Sequence, residues 1–265
     1  MSKTRVREKR VICGPRYMDV DIYQITERQY NAARANRYRS SSPSQRRLNQ
    51  KNSIRYFRQK AITNFTEDDY ISTITFSDEF LPNSPEEAKQ IFKNYIDRVN
   101  YQCKKLGIPM CKYYGALHHK DPEGKRKGIR YHFHVFISCA LPPKILKQLW
   151  SSGRGKNKKR MGLVRLDLVD LLNDSIDGLC EYIMQGAVMD KRRWIQSKGL
   201  KQPEFPKPAD NKYKRRAFER AAKEGDFYDK DFVRKKYPGW ECSDSTVEYN
   251  ELTGWAVYLK MRRIE

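Results

Sequence analysis

The chain has 265 residues, 54 of them basic and 32 acidic, and a formal net charge of +22. Its apolar fraction of 38% supports a lean core, and no run of about 18 apolar residues exists to form a transmembrane helix. The basic N-terminus lacks the apolar stretch of a secretory signal, so a cytoplasmic protein is expected, and the positive charge points to a polyanionic partner such as nucleic acid.

Residues 1–60 carry 16 basic and 4 acidic side chains, over half the net charge in under a quarter of the length. Residues 1–50 are expected to form a basic arm, weakly ordered or ordered on binding. Within it, a basic helix is expected over 24–39 and a loop at Ser40-Ser41-Ser42-Pro43-Ser44. Lys51 to Phe65 predicts a helix with Ile54, Phe57, Ala61 and Ile62 on one side. Tyr70 to Phe76, rich in β-branched and aromatic residues, predicts a strand. Ser84-Pro85-Glu86-Glu87 combines an N-cap serine, a first-turn proline and a glutamate three residues on. The stripe Ala88, Ile91, Phe92, Tyr95, Ile96, Val99 and Cys103 then predicts an amphipathic helix, which Gly107 is placed to end.

Met110 to Leu117 and Ile129 to Ala140 predict strands joined by a charged turn over 120–128. The apolar run Val135-Phe136-Ile137 suggests a central position in a sheet. Leu141-Pro142-Pro143 opens a short helix through Trp150. Gly162 to Leu168 predicts another strand, and Asn173 or Asp174 can cap a helix with Ile176, Leu179, Cys180 and Ile183 on one face. The succession predicts an α+β fold: an antiparallel sheet with helices on one face. Three prolines mark 196–208 as a linker, Tyr213 to Glu224 as a basic helix, and Thr246 to Arg263 as a hairpin turned near Leu252-Thr253-Gly254. The expected division is an arm over 1–50, a central domain over 51–195 and an extension over 196–265. The six cysteines (Cys13, Cys103, Cys111, Cys139, Cys180 and Cys242) contain no C-x-x-C pair, which predicts reduced, buried thiols rather than a zinc finger.

The four histidines, His118, His119, His132 and His134, fall within 17 residues of one another. A strand has period two, so His132 and His134 point to one face and Phe133 to the other. If the two flanking strands form a hairpin, His118 reaches the same place, whereas His119 faces away. Such imidazoles can converge on a cation, which would polarise a phosphodiester. The reaction still needs a nucleophile. Tyr182, on the later helix, shares its face with Gly178, Gln185 and Gly186, and the two glycines leave space around the phenol. A tyrosine attacking phosphate gives a covalent phosphotyrosine. The loop residues Arg154, Lys156, Lys158, Lys159 and Arg160 suit a phosphate backbone, and Trp150 and Trp194 can stack on bases. The competing reading is a basic nucleic-acid-binding domain with structural histidines.

His132-Phe133-His134 followed by Glu181-Tyr182-Ile183-Met184 resembles the HUH endonuclease superfamily, and more narrowly the rolling-circle replication initiators of small phages and plasmids. Supporting stretches are Ser41-Ser42-Pro43-Ser44 before Arg55-Tyr56-Phe57-Arg58, Ser72 to Phe76, Lys112-Tyr113, the His132 to Ile137 strand, Leu149 to Gly155 and Trp194 to Pro203, covering roughly residues 40–225. The resemblance implies a ferredoxin-like HUH sheet and a Mg²⁺ or Mn²⁺ ion on His132 and His134. It also implies attack by Tyr182 on single-stranded origin DNA, with the protein left on the 5′ phosphate and a free 3′-hydroxyl primer. An HUH transposase or mobilisation relaxase would use the same chemistry. The family commonly has glutamate where His118 stands, so His118 is the expected third ligand and Glu123 the alternative. The family often has lysine where Gln185 stands; Lys191, Arg192 and Arg193 are expected to supply that charge. No P-loop run is present, so a host helicase and polymerase are the expected partners.

Overall fold

A computed structural model describes residues 4–26, 43–119, 130–153, 155–171, 175–188, 193–251 and 253–264. Strands β1 (Thr4–Cys13) and β2 (Tyr17–Thr26) precede helix α1 (Pro43–Asn64). Next come β3 (Tyr70–Thr75), α2 (Pro85–Lys105), β4 (Lys112–His118), β5 (His132–Ser138), α3 (Pro143–Leu149) and β6 (Ser151–Ser152). They are followed by β7 (Lys159–Arg160), β8 (Val164–Leu168), α4 (Ser175–Gln185) and β9 (Ile195–Gln196). The last elements are α5 (Arg215–Glu224), α6 (Lys230–Lys236), β10 (Trp240–Asn250) and β11 (Gly254–Arg263). Two units divide these elements, one over 51–201 and one combining 1–50 with 202–265.

The unit over 51–201 is α+β. Its sheet has the order β8-β3-β5-β4-β9, with every neighbouring pair antiparallel. The central strand is β5, as its apolar run predicts. Phe133, Val135 and Ile137 point into a core with Ala88, Phe92, Tyr95, Ile96 and Val99 of α2. The capping signal of α2 forms as expected: the Ser84 side chain accepts from the Glu87 amide, and Gly107 takes φ +68° just past the last turn. Trp150 is fully buried in the same core and donates its indole N–H to the Thr75 carbonyl at 2.9 Å.

The expectation of helices on one face is corrected. Phe136, on the opposite face of β5, packs against Phe57 of α1 and against Phe65, at ring separations of 6.4 and 5.5 Å. Helix α4 lies on that face too. The physical reason is in the same apolar run: a strand apolar on both sides needs cover on both. Phe57, Ala61 and Ile62 of α1 supply it, all buried. Helix α1 also starts earlier than expected, so Pro43 and Ser44 open a helix instead of a loop.

In the other unit, the expected N-terminal arm is also corrected. Strands β1 and β2 form a hairpin in a four-stranded antiparallel sheet of order β1-β2-β11-β10. Val6, Met18, Val20 and Ile22 share a core with Phe218, Phe227, Val257, Leu259 and Met261. The many arginines hide this alternating pattern in the sequence, yet several are paired: Arg7 makes a two-pronged contact with Asp210 at 2.7 and 2.9 Å. Glu8 is buried. Burial pushes its carboxyl up, but Lys212 at 2.8 Å, the Tyr237 hydroxyl and Arg10 outweigh that and hold it below the usual carboxylate range. The stretch expected to be a linker pairs its backbone with β1, Glu204 with Ile12 and Ala209 with Glu8. The expected C-terminal helix and hairpin are present, the hairpin starting six residues earlier, at Trp240. Most of the helix expected over 24–39, and the turn over 120–128, lie outside the described residues. Among the described residues no helix is long and apolar enough to cross a membrane.

Candidate metal and nucleophile site

Three adjacent strands and one helix build the site. The register sets His118 opposite His132 on β4 and β5, and Thr73 of β3 opposite His134. Directly paired residues share a face, and so do residues two apart on a strand. All three imidazoles therefore stand on one side of the sheet, while Phe133 enters the core on the other. Their ring centroids are 4.6–5.1 Å apart, and one nitrogen from each lies within 4.8 Å of the others. His119 is not part of this group; it stacks on Tyr131 at 3.8 Å.

Each imidazole has one nitrogen tied to an oxygen. His118 Nε2 donates to the Ile183 carbonyl at 2.9 Å, and His132 Nδ1 donates to the Arg130 carbonyl at 2.8 Å. His134 Nδ1 lies 3.1 Å from the Thr73 hydroxyl. Metal-binding histidines are oriented this way, with one nitrogen held by an oxygen and the other left for the ion. His134 Nε2 is buried with no hydrogen-bond partner, a costly arrangement unless something accepts its lone pair. Burial, with the neighbouring imidazoles adding, pushes His118 down to about 4 and His134 down to about 3. Both are neutral at pH 7, the form a metal requires. These features fit a divalent ion on His118, His132 and His134.

The low pKa values also predict acid sensitivity. Between about 6.5 and the folded values of about 4 and about 3, the unfolded chain binds protons at His118 and His134 that the folded chain refuses. Stability of the metal-free protein is thus fully present above pH 6.5 and falls as pH drops through that window. Urea midpoints measured in chelator at pH 7 and pH 5 should show the decline. The decline should shrink in His134→Gln, which removes one of the two titrating rings.

Tyr182 stands over this cluster. Its ring centroid lies 5.2 Å from that of His134 and 5.6 Å from that of His118, and the side chain is 54% exposed. Helix α4 is held by buried Ile176, Cys180 and Ile183, and by an Asp177–Arg58 ion pair at 2.7 Å. After the helix, the Val188 amide donates to the Leu117 carbonyl and Ala187 bridges His118. These contacts tie the end of the tyrosine helix to the strand that carries His118. Gly178 faces open space, as expected. Gly186 has another use: a Cβ there would meet Nδ1 and Cε1 of His118 at 2.5 Å, so the glycine makes room for the imidazole and not for substrate.

The expected DNA-contacting residues separate. Lys156, Lys158 and Arg160 are exposed, whereas Lys159 pairs with Glu79 at 2.6 Å. Gln185 is exposed and donates to Glu181 at 2.9 Å. Trp194 is half-buried among Tyr56, Phe57 and Tyr114, and Trp150 is wholly inside, which removes Trp150 as a base-stacking platform. Arg193 is half-buried beside Trp194 in the chain. Arg154, Lys191, Arg192 and the alternative ligand Glu123 lie outside the described residues. A cleft of about 810 Å³ brings Lys158 and Arg160 together with Lys144 and Lys147 of α3, which the sequence reading passed over, and among the described residues no acidic side chain lines it. Their i, i+3 spacing on a short helix was the available signal.

Comparison with protein-family models, with curated proteins and with solved structures finds no match for this chain.

Proposed function

We propose that this protein is a metal-dependent, site-specific single-strand DNA endonuclease and strand transferase of the HUH type, acting in rolling-circle replication initiation. The observation that carries the reading is an exposed phenol, Tyr182, over a cluster of three imidazoles. The strand order supports it. Leaving aside β6 and β7, which form their own two-stranded sheet, β3-α2-β4-β5-α3-β8 is a β-α-β-β-α-β succession whose strands lie in the order β8-β3-β5-β4 beside β9, the split βαβ arrangement of ferredoxin-like folds. The net charge of +22 and the cleft of Lys144, Lys147, Lys158 and Arg160 suit a phosphate backbone.

His118, His132 and His134 would hold the ion, and an all-imidazole set favours Mn²⁺ or a later first-row metal over Mg²⁺. When bound, the ion supplies Lewis-acid polarisation of the scissile phosphate. The Tyr182 oxygen attacks phosphorus; the new O–P bond forms as the bond to the 3′-oxygen breaks. The phenolic proton leaves with the 3′-hydroxyl, and the 5′ phosphate stays on Tyr182. Reversal of the same step rejoins strands.

The test uses randomised single-stranded oligonucleotides with Mn²⁺, labelled at either end and run on denaturing gels. A 3′-end label that migrates with the protein, a 5′-end label that does not, loss of the adduct in EDTA, and peptide mapping to Tyr182 are expected. Binding without any adduct at protein excess overturns the enzyme reading in favour of a binding domain, and an adduct on another residue overturns the role of Tyr182.

A further inference from the structure

Away from the histidines, three thiols that are scattered in the sequence converge. Cys103 ends the buried stripe of α2, Cys111 immediately precedes β4, and Cys139 immediately follows β5. Lys112 pairs with Ser138, so Cys111 and Cys139 stand one step beyond the ladder on facing chains. The sulfurs of Cys103 and Cys139 are 3.7 Å apart. All three are free; Cys103 and Cys111 are buried, and Cys139 is partly exposed. The cluster sits at the end of β4 and β5 opposite to His118 and His132.

The three thiols are chemically unequal. Hydrogen bonding from Cys111, the Leu141 backbone and Cys103 outweighs burial and lowers the Cys139 thiol below the usual cysteine range. Burial raises the Cys103 thiol above that range. The partly exposed cysteine is therefore the one whose thiolate is favoured, and a second thiol already touches it. Thiolate character, access and an adjacent resolving cysteine are what redox-responsive pairs require.

We propose that Cys139 and Cys103 are a peroxide-responsive pair that closes into a reversible disulfide, stapling the end of α2 to the end of β5. The Cys139 thiolate attacks hydrogen peroxide; the O–O bond breaks, giving sulfenic acid and, after protonation, one water. The Cys103 sulfur then attacks that sulfur and displaces its oxygen as a second water, the Cys103 proton leaving with it. Two thiols are oxidised by two electrons and one peroxide is reduced. The sulfurs must close from 3.7 Å to about 2.0 Å. A bound metal is the weaker alternative: among the described residues only His118, His132 and His134 group closely enough to share one.

The proposal does not depend on the nicking reading, and its test does not use DNA. The three cysteines fall on separate tryptic peptides, 99–104, 106–112 and 131–144. Protein treated with hydrogen peroxide, blocked with iodoacetamide and digested should show peptides 99–104 and 131–144 joined, and dithiothreitol should separate them. Cys139→Ser should lose the joined species. Cys111→Ala should keep it, because the Cys103–Cys139 sulfur contact does not involve Cys111. Joining of 106–112 to 131–144, sulfinic acid on Cys139 with no joined peptide, or thiols indifferent to peroxide would overturn the pair.

Discussion

Tyr182→Phe is expected to leave the fold and metal affinity intact and to lower adduct formation on the order of 10³-fold or more, the scale of removing a nucleophile. The substitution removes one hydroxyl from a side chain that is 54% exposed. The ring contacts with His118 and His134 survive in phenylalanine, so stability should change by no more than about 0.5 kcal/mol. Retention of single-stranded DNA on a filter should persist, because the basic cleft of Lys144, Lys147, Lys158 and Arg160 is untouched. With 17 tyrosines in the chain, a control is needed. Tyr101 is 68% exposed on α2, whose buried stripe packs on the opposite sheet face from the histidines, so Tyr101→Phe should form adduct as the unaltered protein does. Persistent adduct in Tyr182→Phe would place the nucleophile elsewhere and end the proposal in its present form.

The site was more legible than the architecture around it. Alternation on a strand depends only on local geometry, so His132 and His134 could be assigned one face from spacing alone. His118 needed one further assumption, a hairpin between β4 and β5, and the observed register provides it. The helix α2 was legible for the same local reason: its cap and its apolar stripe lie in contiguous sequence. What failed depended on distant partners. Charge concealed Val6, Val20 and Ile22, whose burial comes from strands and helices some 200 residues later. The second helical face followed from the apolar run of β5, but choosing α1 to cover it required tertiary contacts. Cysteines far apart in sequence gave no spacing signal, and only folding brings Cys103 and Cys139 into contact.

The two glycines beside Tyr182 look equivalent in the sequence and are expected to behave oppositely. At Gly186, a methyl group would come within 2.5 Å of Nδ1 and Cε1 of His118. The ring has no easy retreat. Its Nε2 is held by the Ile183 carbonyl, and the backbone at both sides of the glycine is tied, at Tyr182 within the helix and at Leu117 beyond it. Gly186→Ala must therefore turn the imidazole or lift the helix end, and either change moves Nδ1 away from the nitrogens of His132 and His134. Disturbing a ligand's orientation costs about 10–100-fold in metal affinity, measured here by titration with Co²⁺ and its visible absorption, and adduct yield at limiting metal should fall in step. Gly178 meets nothing within 4 Å, so Gly178→Ala should bind metal unchanged and gain up to about 1 kcal/mol from the better helix former. Normal metal affinity in Gly186→Ala would remove His118 from the ligand set. Glu123, the alternative third ligand, would then be the next residue to substitute.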